Sequence, residues 1–187
     1  MLANLYAPLI VLWLVAEVAL VVFRQAGAPE ARLERGAVAV IWIVLAASAL
    51  ATLAASYLDV LRLPLSPAAL SWTANAAILA GLAVRTAAVL VLGRFFSVHV
   101  TIRDDHEIVD AGPYRWVRHP AYAGILISFV GLGLASGSWL GLALATVPPA
   151  LVVLERIRVE EAALEVALGE SWHAYCARTR RLVPGVY

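Results

Sequence analysis

Two short stretches of this sequence gather side chains able to do chemistry. In GPYRWVRHPAYAG, residues 112–124, two arginines, a histidine, two tyrosines and a tryptophan stand among two prolines. Gly112-Pro113 marks a turn. Pro120 makes His119 extended and itself suits the first turn of a following helix. His119, Tyr122 and the loop backbone therefore meet at a helix N-terminus, where free amide N–H groups can hold an anion. The second stretch is ERIRVEEAALEVALGESWHAYCARTRRLVPGVY, residues 155–187. At helical spacing Arg156 and Glu160 share a face and Glu161 lies beside them. A guanidinium there offers a planar fork for a carboxylate. Spacing alone favours a solvated helix face with routine ion pairs, and capping or interface anchoring suffices for His119 and Tyr122.

Other chemistries find less support. His99, His106, His119 and His173 lack paired ligand spacing, so no metal site is expected. No serine sits in a nucleophile elbow. GLGLASG at 131–137 has the glycines of a nucleotide loop, but no strand precedes it, and it reads as a packing surface within a span. The single Cys176 excludes an intramolecular disulfide and a CxxC metal site.

The elements that must position these residues are membrane helices. The chain of 187 residues is 63% hydrophobic and 14% charged, with a mean hydropathy of +0.86. Soluble domains carry about a quarter charged residues. A net charge of +1 provides no basic field for nucleic acid. All 14 basic residues are arginine, which codon usage explains as well as any need for a permanent cation. A hydrocarbon core of about 30 Å needs roughly 20 apolar helical residues. Five segments approach that length: 5–23, 37–57, 69–92, 121–136 and 139–157. The N-terminus lacks a basic leader and a cleavage site, so the first reads as a retained span. Ser136-Gly137-Ser138 makes the last two a tight helical hairpin. Gly124, Gly131, Gly133 and Gly141 offer small surfaces for close helix approach, and Pro148-Pro149 should kink the fifth span. Residues 94–120 begin with an alternation suited to extended chain. Beyond residue 157 the helix continues until Gly169 interrupts it, and Trp172 and Tyr175 are expected to anchor a second short helix at the interface.

Arginine placement orients the bundle. Arg24, Arg32, Arg35, Arg94, Arg103, Arg115, Arg118, Arg156, Arg158, Arg178, Arg180 and Arg181 fall on one side, against Arg62 on the other. By the positive-inside rule the N-terminus faces outward and the C-terminus inward, with 112–124 cytoplasmic. Arg85 and Glu17 lie within spans at similar depths, about 13 and 10 Å from the cytoplasmic edge at the helical rise. Their pairing would meet the cost of intramembrane charge, as a bundle lock or as a polar anchor in a substrate cavity.

Taken together, GPYRWVRHPAYAG and RIRVEEAALEVALGESWHAYCARTRRLVP resemble the isoprenylcysteine carboxyl methyltransferase family and its phospholipid methyltransferase relatives. The first matches Gly-Pro-Tyr…Arg-His-Pro-x-Tyr-x-Gly, and the second the Arg-x-x-x-Glu-Glu tail, in the same order with a short hairpin between. The likeness covers roughly residues 90–187. It implies an all-α multi-pass membrane enzyme with a cytoplasmic cofactor loop and a helical tail. Its reaction would be S-adenosylmethionine-dependent methyl transfer to a lipid-like acceptor entering from the bilayer, such as an isoprenoid or a carboxylate-bearing lipid. By that resemblance Gly112, Pro113, Tyr114, His119, Pro120, Tyr122 and Glu161 line the cofactor site, with His106 nearby, and Arg156 and Glu160 meet the acceptor. One membrane domain is implied: three N-terminal spans to residue 93, then a catalytic part from 94 with cofactor loop 94–120, hairpin 121–157 and tail 158–187. Location in a bacterial inner membrane fits the arginine-rich composition. The alternatives are a nicotinamide-dependent reductase of the sterol-reductase type, which has a similar Arg-His-Pro-x-Tyr loop but a longer chain, an amine or phospholipid N-methyltransferase, and a non-catalytic relic.

The charge pattern makes a direct prediction. A reporter fused after Tyr187 is expected in the cytoplasm, and one inserted at Ser136–Ser138 outside. The opposite pattern would overturn the five-span arrangement.

Overall fold

The computed structural model describes residues 32–58, 60–95 and 108–185. Five helices follow in order: α1 Arg32–Ser56, α2 Pro67–Leu92, α3 Pro120–Ala135, α4 Trp139–Leu168 and α5 Glu170–Arg178. Single 3-10 turns occupy Gly93–Phe95 and Gly112–Arg115, and the described residues form no strand. Four of the five expected spans are thus seen as helices. The first span with Glu17, and the extended segment with His99 and His106, lie outside the described residues.

Three of the helices are long and apolar enough to cross a membrane, over Val38–Ser56, Pro67–Leu92 and Trp139–Leu168. Side chains such as Ile43, Leu50, Leu90 and Leu151 are largely exposed, as lipid-facing positions must be. With several apolar helices in succession among the described residues, the chain is a multi-pass integral membrane protein. The fourth apolar helix, α3, has only 16 residues, about 24 Å at the helical rise. By contrast α4 has 30 residues, about 45 Å, so its last turns, beyond residue 157, stand clear of a 30 Å core. It continues unbroken through Pro148 and Pro149.

Local sequence explains the ends. Ser66 caps α2 by accepting from the Ala69 amide at 3.2 Å, and Pro67 takes the first helical position, where its missing N–H costs nothing. Ser138 caps α4 in the same way, accepting from the Gly141 amide at 2.9 Å. Gly137, with φ +68°, turns the α3–α4 hairpin. This turn is tied to the α1–α2 connection, because Leu63 N–H donates to the Gly137 carbonyl at 2.9 Å and Trp139 N–H to that of Leu61 at 2.8 Å.

The core joins all four long helices through Leu45, Ile78, Ile125, Phe129 and Ala145. Its tightest seam lies between α2 and α3. A Cβ on Gly124 would come within 2.7 Å of the Arg85 amide nitrogen and of the Gly81 carbonyl oxygen, and one on Gly131 within 2.8 Å of the Ala74 carbonyl. Gly81, which the sequence analysis did not single out, faces Ser128 and the Gly124 carbonyl across the same seam. Without a hydrophobic driving force in lipid, backbone approach of this kind supplies the packing energy. The seam also seats Arg85. It is buried and donates to the Ala121 carbonyl at 3.3 Å, in the first turn of α3.

Gly124→Ala must therefore force backbone apart and is expected to cost about 1–3 kcal/mol. Gly36→Ala, where a Cβ meets nothing within 4 Å, should be neutral or stabilising by up to about 1 kcal/mol. Thermal unfolding of both variants in one detergent tests the seam, and equal midpoints would refute it.

Candidate functional site at the loop and tail

The loop before α3 is shaped by residues the sequence marks. Gly112 adopts φ +55° and opens the 3-10 turn Gly112–Arg115. Tyr114 is buried against Ala88 and Ala121, with Val91 and Leu92 at the edge, which sets the loop on the last turns of α2. His119 caps α3 with φ −124° and ψ 56°. This is less extended than a residue before proline usually is. The reason lies in its bonding: the His119 carbonyl accepts from both Tyr122 and Ala123 amides at 3.1 Å, and its own N–H donates to the Arg181 carbonyl at 3.0 Å. Two of the amides expected to hold an anion are thereby used within the protein.

The tail lies alongside this loop as a short parallel pairing. Val117 and Arg180 form the bridge, Arg118 N–H donates to the Arg180 carbonyl at 2.7 Å, and Arg180 N–H to that of Trp116 at 3.0 Å. Gly169, at φ +51°, turns the chain from α4 into α5. There Trp172 and Tyr175 are buried, and the Tyr175 hydroxyl donates to the Tyr114 carbonyl at 2.8 Å. The two aromatics expected at the lipid interface are instead buried in protein, and Tyr175 docks α5 on the loop. Burial pushes the Tyr175 phenol well above its ordinary range, so it stays a donor.

Glu161 binds these parts together. Its Oε1 accepts from Arg118 Nε at 2.9 Å and faces His119 Nε2 at 3.3 Å, while Oε2 accepts from Arg181 Nε at 2.8 Å. Arg118 then reaches on to the Thr179 carbonyl at 2.8 Å. Burial alone would raise the Glu161 carboxyl. Hydrogen bonds from His119, Arg118 and Arg181 outweigh it and hold the group down at about 2.

Also on α4, Glu160, the residue before Glu161, and Arg156, just over a turn earlier, face α3. The Tyr122 hydroxyl donates to Glu160 Oε2 at 2.9 Å, and Arg156 is a hydrogen-bonding neighbour of the same hydroxyl. Glu160 Oε1 stands 3.9 Å from His119 Nδ1. Arg156 is buried, as is Ile157, while Glu160 keeps about a third of its side chain open. Arg156 and Glu160 therefore do not form a solvated face. Loop, α3 and α4 bring His119, Tyr122, Arg156, Glu160 and Glu161 into one cluster. Pro120 is buried beneath it, Gly112 is exposed, and Tyr114 packs inward behind the turn. Sequence reasoning overlooked Arg118 and Arg181 as site builders. Their signal was position, one beside His119 and the other in the basic run before Pro184.

The carboxyl sits at about 2 with the tail docked and near 4.5 when free of its partners. A depressed carboxyl contributes its full docking stability above about pH 4.5, and loses it as pH falls towards 2. Amide exchange of residues 170–182, corrected for intrinsic rates, should therefore stay protected from neutrality to about pH 4.5 and loosen below it. Glu161→Gln should loosen the same segment at neutral pH and flatten the dependence. Unchanged exchange in that variant would contradict the arrangement.

This geometry has relatives. The model of the isoprenylcysteine carboxyl methyltransferase (ICMT) family matches residues 73–166, half of the chain. That range starts earlier than the motif likeness and stops before α5. The uncharacterised protein YpbQ of Bacillus subtilis is 29% identical over 82 residues, which cover 44% of this chain and 49% of that one. The protein-S-isoprenylcysteine O-methyltransferase of Schizosaccharomyces pombe is 32% identical over 103 residues, 54% of this chain and 42% of its own. The chain thus spans about half the length of the relatives it matches. Among solved structures, the eukaryotic intramembrane Ras methyltransferase ICMT superposes with a TM-score of 0.60 at 24% identity, over 78% of this chain and 52% of that chain. At that identity the superposition speaks for the fold. The family match carries the rest, since it spans most of α2, the Arg-His-Pro loop, α3 and the part of α4 that holds Arg156, Glu160 and Glu161: the chain belongs to the isoprenylcysteine carboxyl methyltransferase family.

Proposed function

We propose that the protein is an S-adenosylmethionine-dependent methyltransferase acting on a lipid-like acceptor that bears a carboxylate. The observation that carries this reading is the buried Arg156 guanidinium beside Tyr122, where α4 leaves the apolar core. The planar fork of its guanidinium suits a carboxylate. The names of relatives such as the fission yeast enzyme, which describe O-methylation of isoprenylcysteine, support the same acceptor class. In this reading residues 94–187 form the catalytic part on three N-terminal spans, in a bacterial inner membrane. The N-terminus faces out and the site faces the cytoplasm.

The donor set fits the cofactor. The Tyr122 ring with the Glu160 carboxylate beside it offers a negative, partly open face that suits a sulfonium. His119 Nδ1 and the turn at Gly112-Pro113 supply polar groups for the remainder. Glu161 was expected to hold the cofactor directly, but both its oxygens are engaged, so we assign it to holding the loop. When bound, S-adenosylmethionine supplies an electrophilic methyl group.

The chain's own residues do the rest by placement. Arg156 binds the acceptor carboxylate and directs one oxygen towards the Tyr122–Glu160 face. That oxygen is already ionised, so no general base has to remove a proton. Val153, Ile157 and Leu182, with Leu126 and Leu154 against them, keep water from the approach. Fixed proximity in a dry site is the main rate term for such a transfer.

Arg156→Lys keeps the charge and loses the fork. Its acceptor KM should rise or its turnover fall by about tenfold or more, with S-adenosylmethionine affinity close to the parent's. Arg158→Lys, exposed and paired with Glu155 at 3.4 Å, should be silent. Kinetics of Arg156→Lys within about twofold of the parent, roughly 0.4 kcal/mol in barrier, would reject the role.

A further inference from the structure

Most cytoplasmic arginines of the described residues already have acidic partners. Arg118 and Arg181 hold Glu161, Arg178 pairs with Asp110 at 2.7 Å, and Arg158 with Glu155. Arg115 and Arg180 differ. Both are exposed and neither makes an ion pair with a described residue. They are 65 positions apart in the chain, yet the parallel bridge of Val117 with Arg180 brings the Arg180 backbone beside Trp116, the residue that follows Arg115. The Arg180 amide donates to the Trp116 carbonyl itself. Trp116 is 61% exposed, and Val183, just along the same strap, is 50% exposed. The result is an exposed indole with two neighbouring cations that have no acidic partner among the described residues.

Its level in the molecule is set by packing. The neighbouring Tyr114 is buried on Ala88, and a Cβ on Gly112 would lie 2.9 Å from Val91 Cγ2. The patch therefore sits at the last turns of the apolar helix α2, where hydrocarbon gives way to headgroups. An indole at that depth prefers the interface, and an arginine there is attracted by anionic lipid. The α4–α5 corner, with Glu165, Glu170 and His173 exposed, has the opposite character.

We propose that Arg115, Trp116 and Arg180 form a binding surface for the headgroup of an anionic phospholipid. It seats the cofactor loop and the tail together on the membrane. Because the same strap carries Arg181 to Glu161, a lipid held there bears on the loop-to-tail pairing from its outer side. The assignment does not depend on the methyl-transfer reading.

The test uses the full chain in detergent, titrated with phosphatidylglycerol or phosphatidylcholine, with bound lipid counted by native mass spectrometry. The parent should bind phosphatidylglycerol in preference. Arg115→Gln and Arg180→Gln should each weaken it by about fivefold, and together by about 25-fold, at roughly 1 kcal/mol per arginine near an anionic surface. Arg158→Gln should leave it unchanged. Equal binding of the two lipids by the parent, or parental binding in the double variant, would overturn the proposal. So would full competition by soluble glycerol phosphate, which would make the patch a site for a free anion.

Discussion

The carboxylate of Glu161, held by two arginines and a histidine, is the interaction on which the site depends. Arg118 and His119 come from the loop and Arg181 from the tail, while Glu161 is fixed to α4. Each member alone would be a poorly solvated charge or polar group, and an incomplete cluster costs several kcal/mol per ion. Complete, it lets three segments distant in sequence share one position. The Tyr175 hydroxyl on the Tyr114 carbonyl and the backbone pairing of 116–119 with 180–181 reinforce the same geometry without adding charge.

Behind that cluster, the glycine seam of α2 and α3 sets the height of the loop. Close approach at Gly81, Gly124 and Gly131 leaves no room for sliding, so the first turn of α3 is placed against Arg85. Tyr122 then points at α4, where its hydroxyl meets Glu160 and Arg156. A rigid helix pair thus presents a tyrosine and a capping histidine to a third helix. The long α4 supplies both the span and the polar side chains, since its last turns rise beyond the apolar core.

The family match ends at residue 166, before α5 and Arg181. In this chain the tail nevertheless completes the Glu161 cluster and docks Tyr175 on the loop. The polar cluster and the exposed Arg180 thus share one strap. Arg181 and Arg180, adjacent in sequence, turn to opposite sides of it as neighbours in an extended chain do.

The sequence by itself determined the membrane character, the four spans seen as helices, the hairpin at Ser136–Ser138 and the break at Gly169. These follow from local rules: apolar length, caps, and glycine where φ is positive. It also pointed to His119, Tyr122, Arg156, Glu160 and Glu161, because their types and spacing resemble a family pattern. Whether Arg156 and Glu160 faced solvent or the protein could not be read from an i,i+4 spacing, which is the same in both cases. Only the tertiary structure decided that Arg156 is buried beside Tyr122, that Glu161 is spent on Arg118, His119 and Arg181, and that α5 docks on the loop instead of on lipid. Those outcomes depend on pairings between residues 20 to 61 positions apart, which no local propensity encodes and which the close packing of α2, α3 and α4 brings within hydrogen-bond reach.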